Sequence, residues 1–379
     1  MRIHFYEPAA LPEIWRDFWK VRVLSRRPHR ALTGGPAWFG MMAQIFGGCV
    51  LCAEDDAGRP RVLVPLVCSA PPRIGRWKIA QRGSWWNVGG GDLIAEDVSA
   101  EDLSEVWRTI FERNPACAGI RFETLTAGAL SESVRRSVRM TPGLFWCPLY
   151  SGLPHYRLRF GSGGDQGGLW RSGRTLRKLR NRARALERAT GAALHVLELT
   201  TCAEMVAHRQ DWENLMARRW QTRRLGAAFH LEDVEPVAAR GWLRSFLLMA
   251  GSRPVAGVVG YQGEGVYVYE EVGYDPELAR YSPGTLLLFR LLDILSRRDP
   301  PQWLDFGEGA ADYKAAWATE EDRVDGGLIV RFSFPFWFAC RTARLASMAT
   351  ALARRLAGAA VPRTVRQRGL TAADGEAQG

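Results

Sequence analysis

Short apolar runs separated by turn residues characterise the chain between residues 242 and 330. Phe246 to Met249, Val255 to Tyr261 and Val266 to Val272 are three such runs, with Gly-Ser-Arg-Pro and Gln-Gly-Glu-Gly between them. Runs rich in β-branched and aromatic residues, bounded by Gly and Pro, are typical of consecutive antiparallel strands. The pattern therefore predicts a three-stranded meander.

A helix, a fourth strand and a second helix are predicted after the meander. Leu286 to Leu295 are apolar on every side of a helix, which predicts a buried element. Ser282 is expected to cap this helix and Pro283 to occupy its first turn. Gln302 to Phe306 form the next strand, and a short helix is expected near Asp312. This order of strands and helices favours a mixed α/β domain. It is compatible with a catalytic domain and with a purely structural domain.

The first half of the chain predicts a looser version of the same order. In sequence, the predicted elements are a strand at Arg2 to Glu7, helices at Leu11 to Val23 and from Pro36, a hairpin at Cys49 to Val67, a helix at Asp102 to Arg113, a strand at Gly119 to Thr124 and a helix at Ser131 to Val138. The glycines of Trp85 to Asp92 lack the flanking elements of a phosphate-binding loop, so a tight turn is expected there. The two similar halves suggest a duplication, with domains at 1–165 and 166–330 and a separate segment at 331–379.

The composition is that of a globular protein. Its 379 residues are 47% hydrophobic and 24% charged, and no apolar run is long enough to span a membrane. The amino-terminal stretch predicts a strand and a helix instead of a signal peptide. Seven cysteines, an odd number, indicate reduced thiols, with Cys49 and Cys52 in a core strand. These features predict a cytoplasmic protein.

The positive charge is concentrated towards the carboxyl terminus. The net charge is +11, and the segment from Gly326 to Ala373 has eight arginines and no acidic residue. Phe334 to Phe338 are mostly aromatic and precede an amphipathic pattern with Leu345 and Leu352 on its apolar stripe. An aromatic entry followed by an arginine-bearing amphipathic helix is typical of membrane interfaces. We therefore expect either peripheral binding to the anionic inner face of the cytoplasmic membrane or docking on the protein's own domain.

A strongly basic helix is predicted between Leu169 and Thr190. Apolar residues recur at helical spacing in this stretch, and the other positions carry eight cations against a single acid, Glu187. The cations are Arg171, Arg174, Arg177, Lys178, Arg180, Arg182, Arg184 and Arg188. A solvated helix face would account for them, but eight like charges on one helix repel each other and favour an anionic partner.

Several segments together resemble the cellulose-biosynthesis (CelD/BcsL-type) acyltransferases, a branch of the GNAT superfamily related to the Fem-type peptidyltransferases. The matching residues are Pro36-Ala37-Trp38, Leu176-Arg177-Lys178-Leu179-Arg180, Arg253-Pro254-Val255-Ala256-Gly257, Gly273-Tyr274-Asp275-Pro276, Tyr281-Ser282-Pro283-Gly284, and Asp305-Phe306-Gly307 followed by Tyr313-Lys314. The resemblance implies an α/β (α+β) fold of tandem GNAT-like (acyl-CoA N-acyltransferase) domains. It further implies mixed, mostly antiparallel sheets flanked by helices, in addition to the C-terminal amphipathic helix.

The resemblance also implies where an acyl donor binds. In GNAT enzymes the strands before and after the buried helix diverge, and the helix N-terminus faces the phosphates of the donor. The expected donor is an acyl-CoA or an acyl carrier protein. The residues expected to contact it are Val272, Gly273, Arg280, Ser282, Gly284 and Thr285. The turn from Arg280 to Thr285 departs from the usual Gln/Arg-x-x-Gly-x-Gly/Ala pattern, because its glycine comes one position late.

Acyl transfer to an amine requires a base and benefits from an acid for the leaving thiolate. Glu270 and Glu271 are adjacent, so they are expected on opposite faces of a strand. We expect Glu271 to share a cleft face with Tyr267 and Tyr269 and to act as the base, and Glu270 to be buried. The other candidates are Asp305 and Glu308 at the end of the next strand, Tyr313 as the acid, and Lys314 and His230 as substrate contacts. Tyr313 and Lys314 could instead merely cover the last helix.

The sequence predicts an acyl-CoA-dependent acyltransferase. Its histidines lack metal-ligand spacing and it has no nucleophile-turn motif, so neither a metal nor an acyl-enzyme is expected. The expected acceptor is an amine or hydroxyl of an envelope polysaccharide or lipid precursor, and a long-chain N-acylation resembling ceramide synthesis is one such reaction. One alternative is a Fem-type transferase that uses aminoacyl-tRNA, with RNA on the basic helix. The second alternative is a catalytically silent scaffold for envelope synthesis. Binding of nucleic acid is expected only for the Fem-type alternative.

Overall fold

The computed structural model describes residues 1–71, 73–74, 77–78, 83–161, 173–217, 231–338 and 340–342. Within these ranges, the chain forms two compact units. The first unit comprises residues 1–156, 308–310 and 321–342, and the second comprises residues 157–307 and 311–320. The domain limits of 1–165, 166–330 and 331–379 stay a prediction.

Strands and helices alternate along both units. The strands are β1 (Arg2–Tyr6), β2 (Gly48–Glu54), β3 (Pro60–Ser69), β4 (Arg73–Ile74), β5 (Trp77–Lys78), β6 (Ser84–Val88), β7 (Ile94–Ala95), β8 (Cys117–Thr126), β9 (Leu144–Arg159), β10 (Leu194–Leu199), β11 (Ser245–Ala250), β12 (Arg253–Gly263), β13 (Val266–Tyr274), β14 (Trp303–Glu308) and β15 (Glu320–Arg331). The helices are α1 (Glu13–Arg26), α2 (Pro36–Phe46), α3 (Ala100–Arg113), α4 (Ala129–Met140), α5 (Gly173–Thr190), α6 (Cys202–Ala207), α7 (Arg209–Ala217), α8 (Glu235–Ala238), α9 (Pro283–Arg297) and α10 (Asp312–Trp317).

The sheet of the first unit is buried on both faces. Its strands follow the order β1-β2-β3-β6-β8-β15-β9, and the short β7 pairs with β3. Along β3, Val62, Val64 and Leu66 pack with α3 and α4. Leu63 and Val67 of the same strand pack with α1 and α2. Because alternate residues of a strand point to opposite faces, this nearly continuous apolar strand is covered by helices on both sides.

The second unit contains the predicted meander. β11, β12 and β13 pair in antiparallel order, β10 pairs with β11, and β14 joins β13 in parallel. α9 buries six leucines, among them Leu287 and Leu291, but Arg290 is exposed, so the helix is less enclosed than its sequence suggested. A Cβ on Gly257 of β12 would lie 2.8 Å from the Trp212 ring of α7, so glycine lets that helix pack closely on the sheet.

Each unit contains a parallel strand pair within a mostly antiparallel sheet. In the first unit, β6 and β8 are parallel and α3 lies between them in sequence. In the second unit, β13 and β14 are parallel and α9 lies between them. Parallel neighbours require a crossover connection, and a helix usually provides it. The mixed α/β architecture confirms the predicted fold class, and the repeated arrangement agrees with a duplicated domain.

The start of the C-terminal segment packs on the first unit. Residues 334–338 are helical, and the ring of Phe336 is buried with its centroid 5.7 Å from that of Phe145. Phe334 and Phe338 of the same short helix are exposed by 65% and 56%. The predicted amphipathic stripe from Leu345 onwards lies outside the described residues. In the part of the chain that the structure describes, no helix is both long and apolar enough to cross a membrane.

Candidate active site

The two parallel strands of the second unit separate at one end. β13 and β14 pair at three positions, and the last of these is Val268 opposite Asp305. β13 continues for six residues to Tyr274 and β14 continues to Glu308, without further pairing between the two strands. The strands therefore diverge towards their carboxyl ends, and ligands of open α/β sheets commonly bind outside such ends.

Aromatic side chains line the start of this opening. Tyr269, the first residue of β13 beyond the paired part, has its ring centroid 5.7 Å from Phe306 of β14 and 6.5 Å from Tyr313 of α10. Burial raises the pKa of Tyr313 to about 12 and raises the pKa of Tyr269 well above its ordinary value. The Tyr313 phenol is therefore protonated at neutral pH and can serve as a proton donor.

A β-bulge on β13 gives the two neighbouring glutamates different surroundings. Tyr269 lies opposite Gly260 and Glu271 lies opposite Val259, so Glu270 is the extra residue. Glu270 is exposed, and Glu271 is half-buried. The expectation that Glu270 would be buried was wrong, because the bulge interrupts the alternation of faces on which that expectation depended.

Tyr267 also departs from its expected position. Its side chain is fully buried, and its hydroxyl donates a hydrogen bond to the Arg244 carbonyl oxygen at 3.0 Å. A Cβ at Gly260 would lie 2.0 Å from this hydroxyl, so the glycine makes room for it. Tyr267 therefore belongs to the core instead of the expected cleft. An isolated glycine in a strand indicates a bulge or a close approach, and Gly260 was the sequence signal for both.

A 3-10 helix, Pro276–Tyr281, connects β13 to α9. Asp275 begins this helix by accepting a hydrogen bond from the Glu277 N–H at 3.1 Å, and its buried carboxylate is ion-paired with Arg253. The pair fixes the turn that carries Arg280 towards the start of α9. The sequence reasoning missed this positioning role of Asp275, although Asp before Pro is a recognised pattern for starting a turn.

The backbone just before α9 has an unusual conformation. Ser282 has a left-handed φ of 54°, and its side chain forms no capping hydrogen bond. The expectation that Ser282 caps the helix was wrong, because side-chain capping requires an extended backbone at that position. The first N–H groups of α9 have no intrahelical acceptors. A Cβ at Gly284 would meet only the Tyr274 ring, at 3.8 Å, which leaves open space beside the helix start.

Positively charged residues surround a cleft near this helix start. α5 packs against the 3-10 helix and against α9. The cleft, here termed the α5 cleft, has a volume of about 400 Å³ and is lined by Arg174, Arg177, Lys178, Asn181, Arg182, Ala185, Arg280 and Tyr281. The Arg280 guanidinium carbon lies 4.7 Å from the centroid of the Tyr281 ring. Five cations and no acidic residue therefore line this cleft.

The remaining carboxylates predicted for the site have different surroundings. Asp305 is buried and accepts a hydrogen bond from the Gly307 N–H at 2.7 Å, so it stabilises the backbone at the carboxyl end of β14. Glu308 belongs to the first unit, is exposed and lies 3.7 Å from the Arg30 guanidinium.

Other predicted residues lie around the opening or outside the described ranges. Val272, Thr285 and Lys314 are half-buried, and Gly273 is buried. A Cβ on Gly273 would lie 3.1 Å from the Leu215 carbonyl oxygen, because α7 covers that part of β13. His230 lies outside the described residues.

A cavity in the first unit contains two arginines that are paired with carboxylates of the same unit. It has a volume of about 410 Å³. Arg27 lies 3.3 Å from Asp92 with both side chains buried, and Arg22 is paired with Glu96. The turn Gly89–Gly91 borders the cavity and is tight, as predicted, with a φ of 71° at Gly90. These ion pairs leave the cavity with less unbalanced positive charge than the α5 cleft.

The second unit matches a known domain family. Residues 173–315 match the family model described as "Acetyltransferase (GNAT) domain". The matched range begins with α5 and ends within α10, so it includes the diverging strands, the bulge and the α5 cleft. Among curated protein sequences, none matches this chain significantly.

The fold is similar to that of several solved structures. FemX has a TM-score of 0.55 at 10% identity, over 89% of this chain and 99% of that chain. A GCN5-related glucosamine N-acetyltransferase region of a fungal multi-domain β-N-acetylglucosaminidase has a TM-score of 0.51 at 9% identity, over 87% of this chain and 38% of that chain. The C-terminal domain of an Agrobacterium fabrum protein described as a "Putative Lysylphosphatidylglycerol Synthetase" has a TM-score of 0.46 at 12% identity, over 89% of this chain and 96% of that chain. The two structures with TM-scores above 0.5 show similarity of fold alone at these identities, and this similarity agrees with the GNAT domain match.

Proposed function

We propose that the second unit is an acyl-CoA-dependent N-acyltransferase for an amine of an envelope polysaccharide or lipid precursor. The observation that carries the proposal is the opening between β13 and β14, with Glu271 beside the bulge and Tyr313 at its aromatic edge. The GNAT domain match at residues 173–315 supports an acyl donor and an amine acceptor. The fungal region of similar fold is named for glucosamine, an amino sugar, and this supports a sugar amine as acceptor.

In the proposed reaction, the amine nitrogen attacks the thioester carbonyl carbon, the C–N bond forms and the C–S bond breaks. Glu271 accepts the proton that the nitrogen loses, and Tyr313 donates a proton to the departing thiolate. A backbone N–H of Val272 or Gly273 donates to the carbonyl oxygen, where negative charge develops. Lys314, which follows Tyr313 on α10, contacts an anionic group of the acceptor.

Product analysis with the full-length chain tests this proposal. The chain is incubated with acyl-CoAs from acetyl to palmitoyl, with acyl carrier protein thioesters, and with amino-sugar or long-chain amine acceptors. Mass spectrometry should detect an N-acylated acceptor and free CoA in equal amounts. Release of CoA without an acylated acceptor would identify hydrolysis and contradict the proposal.

A transferase that uses aminoacyl-tRNA is the second candidate function. The cations of α5 and the similarity of the fold to FemX favour it. The same incubation with aminoacyl-tRNA distinguishes the two donors, because an RNA-dependent product without acyl-CoA turnover would support the second candidate. Binding of substrates without turnover of either donor would instead support a silent scaffold for envelope synthesis.

We also propose that the protein binds peripherally to an anionic membrane surface. Phe332, Phe334 and Phe338 expose 55%, 65% and 56% of their area, and the Arg341 guanidinium carbon lies 5.1 Å from the Trp337 ring centroid. Exposed aromatic side chains beside arginine suit the interface between lipid headgroups and acyl chains. Such a location would bring the site close to a lipid or envelope acceptor.

A further inference from the structure

α5 carries positive charge that the described part of the chain does not neutralise. Arg174, Arg177 and Lys178 are exposed, Arg182 is half-buried, and none of the four forms an ion pair with a described residue. The single acid of the helix, Glu187, accepts a hydrogen bond from the N–H that begins β10, at 3.2 Å. Arg22 and Arg27 of the first-unit cavity are paired with carboxylates, whereas the cations of the α5 cleft are available to a ligand.

Helical spacing concentrates these cations on one side of α5. The α5 residues that line the cleft, at positions 174, 177, 178, 181, 182 and 185, recur at intervals of three and four, which places them on one helix face. Leu179 and Leu186 are buried and attach the helix to its unit. Arg180, Arg184 and Arg188 do not line the cleft. The same helix therefore provides both a charged binding face and a matched set of control residues.

The opposite wall of the α5 cleft is fixed by the turn before α9. Arg280 and Tyr281 line this wall, at the end of the 3-10 helix that begins at Asp275. The ion pair between Asp275 and Arg253 holds the beginning of that helix. α9 starts two residues after Tyr281, so the positive end of its dipole lies near the cleft.

The charge and size of the α5 cleft favour a small ligand with several phosphates. The five cations that line this volume of about 400 Å³ repel one another, and a bound multivalent anion relieves that repulsion. Arginine forks and lysine ammonium groups are the side chains that bind phosphate oxygens best. Arg280, which lines the cleft, lies three residues before the start of α9, and α9 follows the opening strand β13 in sequence.

We propose that α5 and Arg280 bind the phosphate groups in the nucleotide portion of an acyl-CoA, while the opening between β13 and β14 holds its acyl end. This inference rests on the proposed function and extends it to the donor. It assigns donor binding to a helix that lies outside the strand–helix–strand arrangement of β13, α9 and β14.

Calorimetric titration of the full-length chain with CoA tests the assignment. The cleft variant Arg177→Gln/Lys178→Gln is compared with the control variant Arg180→Gln/Arg184→Gln. Both remove two positive charges from α5, but only the first pair lines the cleft. We expect the Kd for CoA to rise about 10- to 100-fold in the cleft variant and less than about threefold in the control. Pantetheine, which has no phosphate, should bind all three proteins equally, and unchanged circular dichroism verifies that the variants are folded.

The outcomes separate this inference from the proposed function. Suppose that the wild type turns over acyl-CoA. If the affinity for CoA then falls equally in both variants, or if the Kd of the cleft variant is unchanged, the inference is overturned and the proposed function stands. If the Kd values for CoA change as expected but no acyl-CoA is turned over, the result would support CoA binding in the α5 cleft and contradict the proposed function. If the cleft variant loses salt-sensitive retention of tRNA while its CoA affinity is unchanged, the cleft belongs to an RNA donor and the CoA assignment fails.

Discussion

Single residues at the opening between β13 and β14 have surroundings that match the chemistry proposed for them. The half-buried Glu271 lies in the divergent part of β13, whereas the extra residue of the bulge leaves its neighbour Glu270 in solvent. Tyr313 contacts the ring of Tyr269, and its burial keeps the phenol protonated. Tyr313 is therefore available as the acid, and the Glu271 carboxylate is the proposed base for acyl transfer from a thioester to an amine.

Tyr313→Phe should lower kcat about 100-fold, because the thiolate then leaves without its proton donor. Burial raises the pKa of Tyr313 to about 12, and the protonated form is the active one. Wild-type kcat should therefore show no loss from this group between pH 7 and 10. A pH series of kcat for both proteins is the measurement. Full activity in the variant at every pH would remove Tyr313 from the mechanism.

Gly284→Ala should separate stability from donor binding. The new methyl group would meet only the Tyr274 ring, at 3.8 Å, and alanine is the better helix former by up to about 1 kcal/mol. Thermal unfolding should therefore show an unchanged or slightly higher Tm. The KM for acyl-CoA should rise about tenfold, because the methyl group occupies space that the donor needs at the helix start. An unchanged KM would mean that the donor does not approach this turn closely.

At the scale of elements, β13 determines both the opening and the bulge. Its first three residues pair with β14, its next residues diverge, and its antiparallel partner β12 accommodates the bulge with Gly260. Its tyrosines pack inwards: the buried Tyr267 hydroxyl donates to the Arg244 carbonyl oxygen, and the buried Tyr269 contacts Phe306. One strand therefore links the core of the second unit to its candidate site.

Local periodicity predicted these elements but not their register. The apolar runs at Val255 to Tyr261 and Val266 to Val272 correctly predicted β12 and β13, because a run of β-branched and aromatic residues fits a buried strand. The bulge at Glu270 depends on how β12 and β13 align across the sheet. The spacing of apolar residues within one strand carries no information about that alignment. The left-handed Ser282 likewise results from the preceding 3-10 helix, so its capping could not be judged from residue type alone.

The buried tyrosines of β13 should make the protein sensitive to alkali. Burial raises the pKa values of Tyr267 and Tyr269 well above 10, so the unfolded chain releases these protons first as the pH rises. Each such tyrosine lowers the free energy of unfolding by about 1.4 kcal/mol per pH unit above pH 10, and it has no such effect below that pH.

Tyr267→Phe isolates this contribution. At pH 8 the variant should be about 1 kcal/mol less stable, because it loses the hydrogen bond to the Arg244 carbonyl oxygen. Between pH 10 and 11 its stability should fall less steeply than that of the wild type. Urea unfolding at pH 8, 10 and 11 measures both effects. Parallel pH profiles for the two proteins would show that Tyr267 ionises equally in the folded and unfolded chains.

At the scale of the whole molecule, positive charge is concentrated in two segments. One is α5, with its cleft, and the other follows Gly326 in a region without acidic residues up to Ala373. In the second segment, Phe336 is buried on the first unit, so the beginning of the segment is docked, yet Phe334 and Phe338 are largely exposed. The docking that the sequence allowed is therefore observed for Phe336, and contact of the exposed rings with a membrane stays a proposal.

Phe334→Ser/Phe338→Ser should weaken binding to vesicles that contain anionic lipids. Removing two exposed aromatic side chains removes apolar area that would otherwise enter the interface, at about 25 cal/mol per Å². We expect the pelleted fraction to fall at least about fivefold. Binding of the wild type should decrease with salt, since screening shortens the Debye length to about 8 Å at physiological ionic strength.

Ile14→Ser/Leu24→Ser is the matched control for that experiment. Ile14 and Leu24 of α1 are exposed by 57% and 56%, so their removal changes a similar class of surface in the same unit. Sedimentation with anionic and with neutral vesicles should show wild-type binding for this control. An equal loss in both double variants would indicate general surface hydrophobicity, and pelleting of all variants alike would move the membrane contact to another part of the chain.

The central claim is that Glu271 at the divergent end of β13 deprotonates an amine that attacks an acyl-CoA. The most direct test is the kcat for acyl-CoA and an amine acceptor in Glu271→Gln and in Glu270→Gln. Both variants lose one carboxylate from adjacent positions, but only the half-buried Glu271 is assigned to the reaction. We expect Glu271→Gln to lower kcat by about two to four orders of magnitude with the Kd for CoA nearly unchanged, and Glu270→Gln to retain wild-type kcat. Wild-type turnover in Glu271→Gln, or a loss confined to Glu270→Gln, would contradict the account.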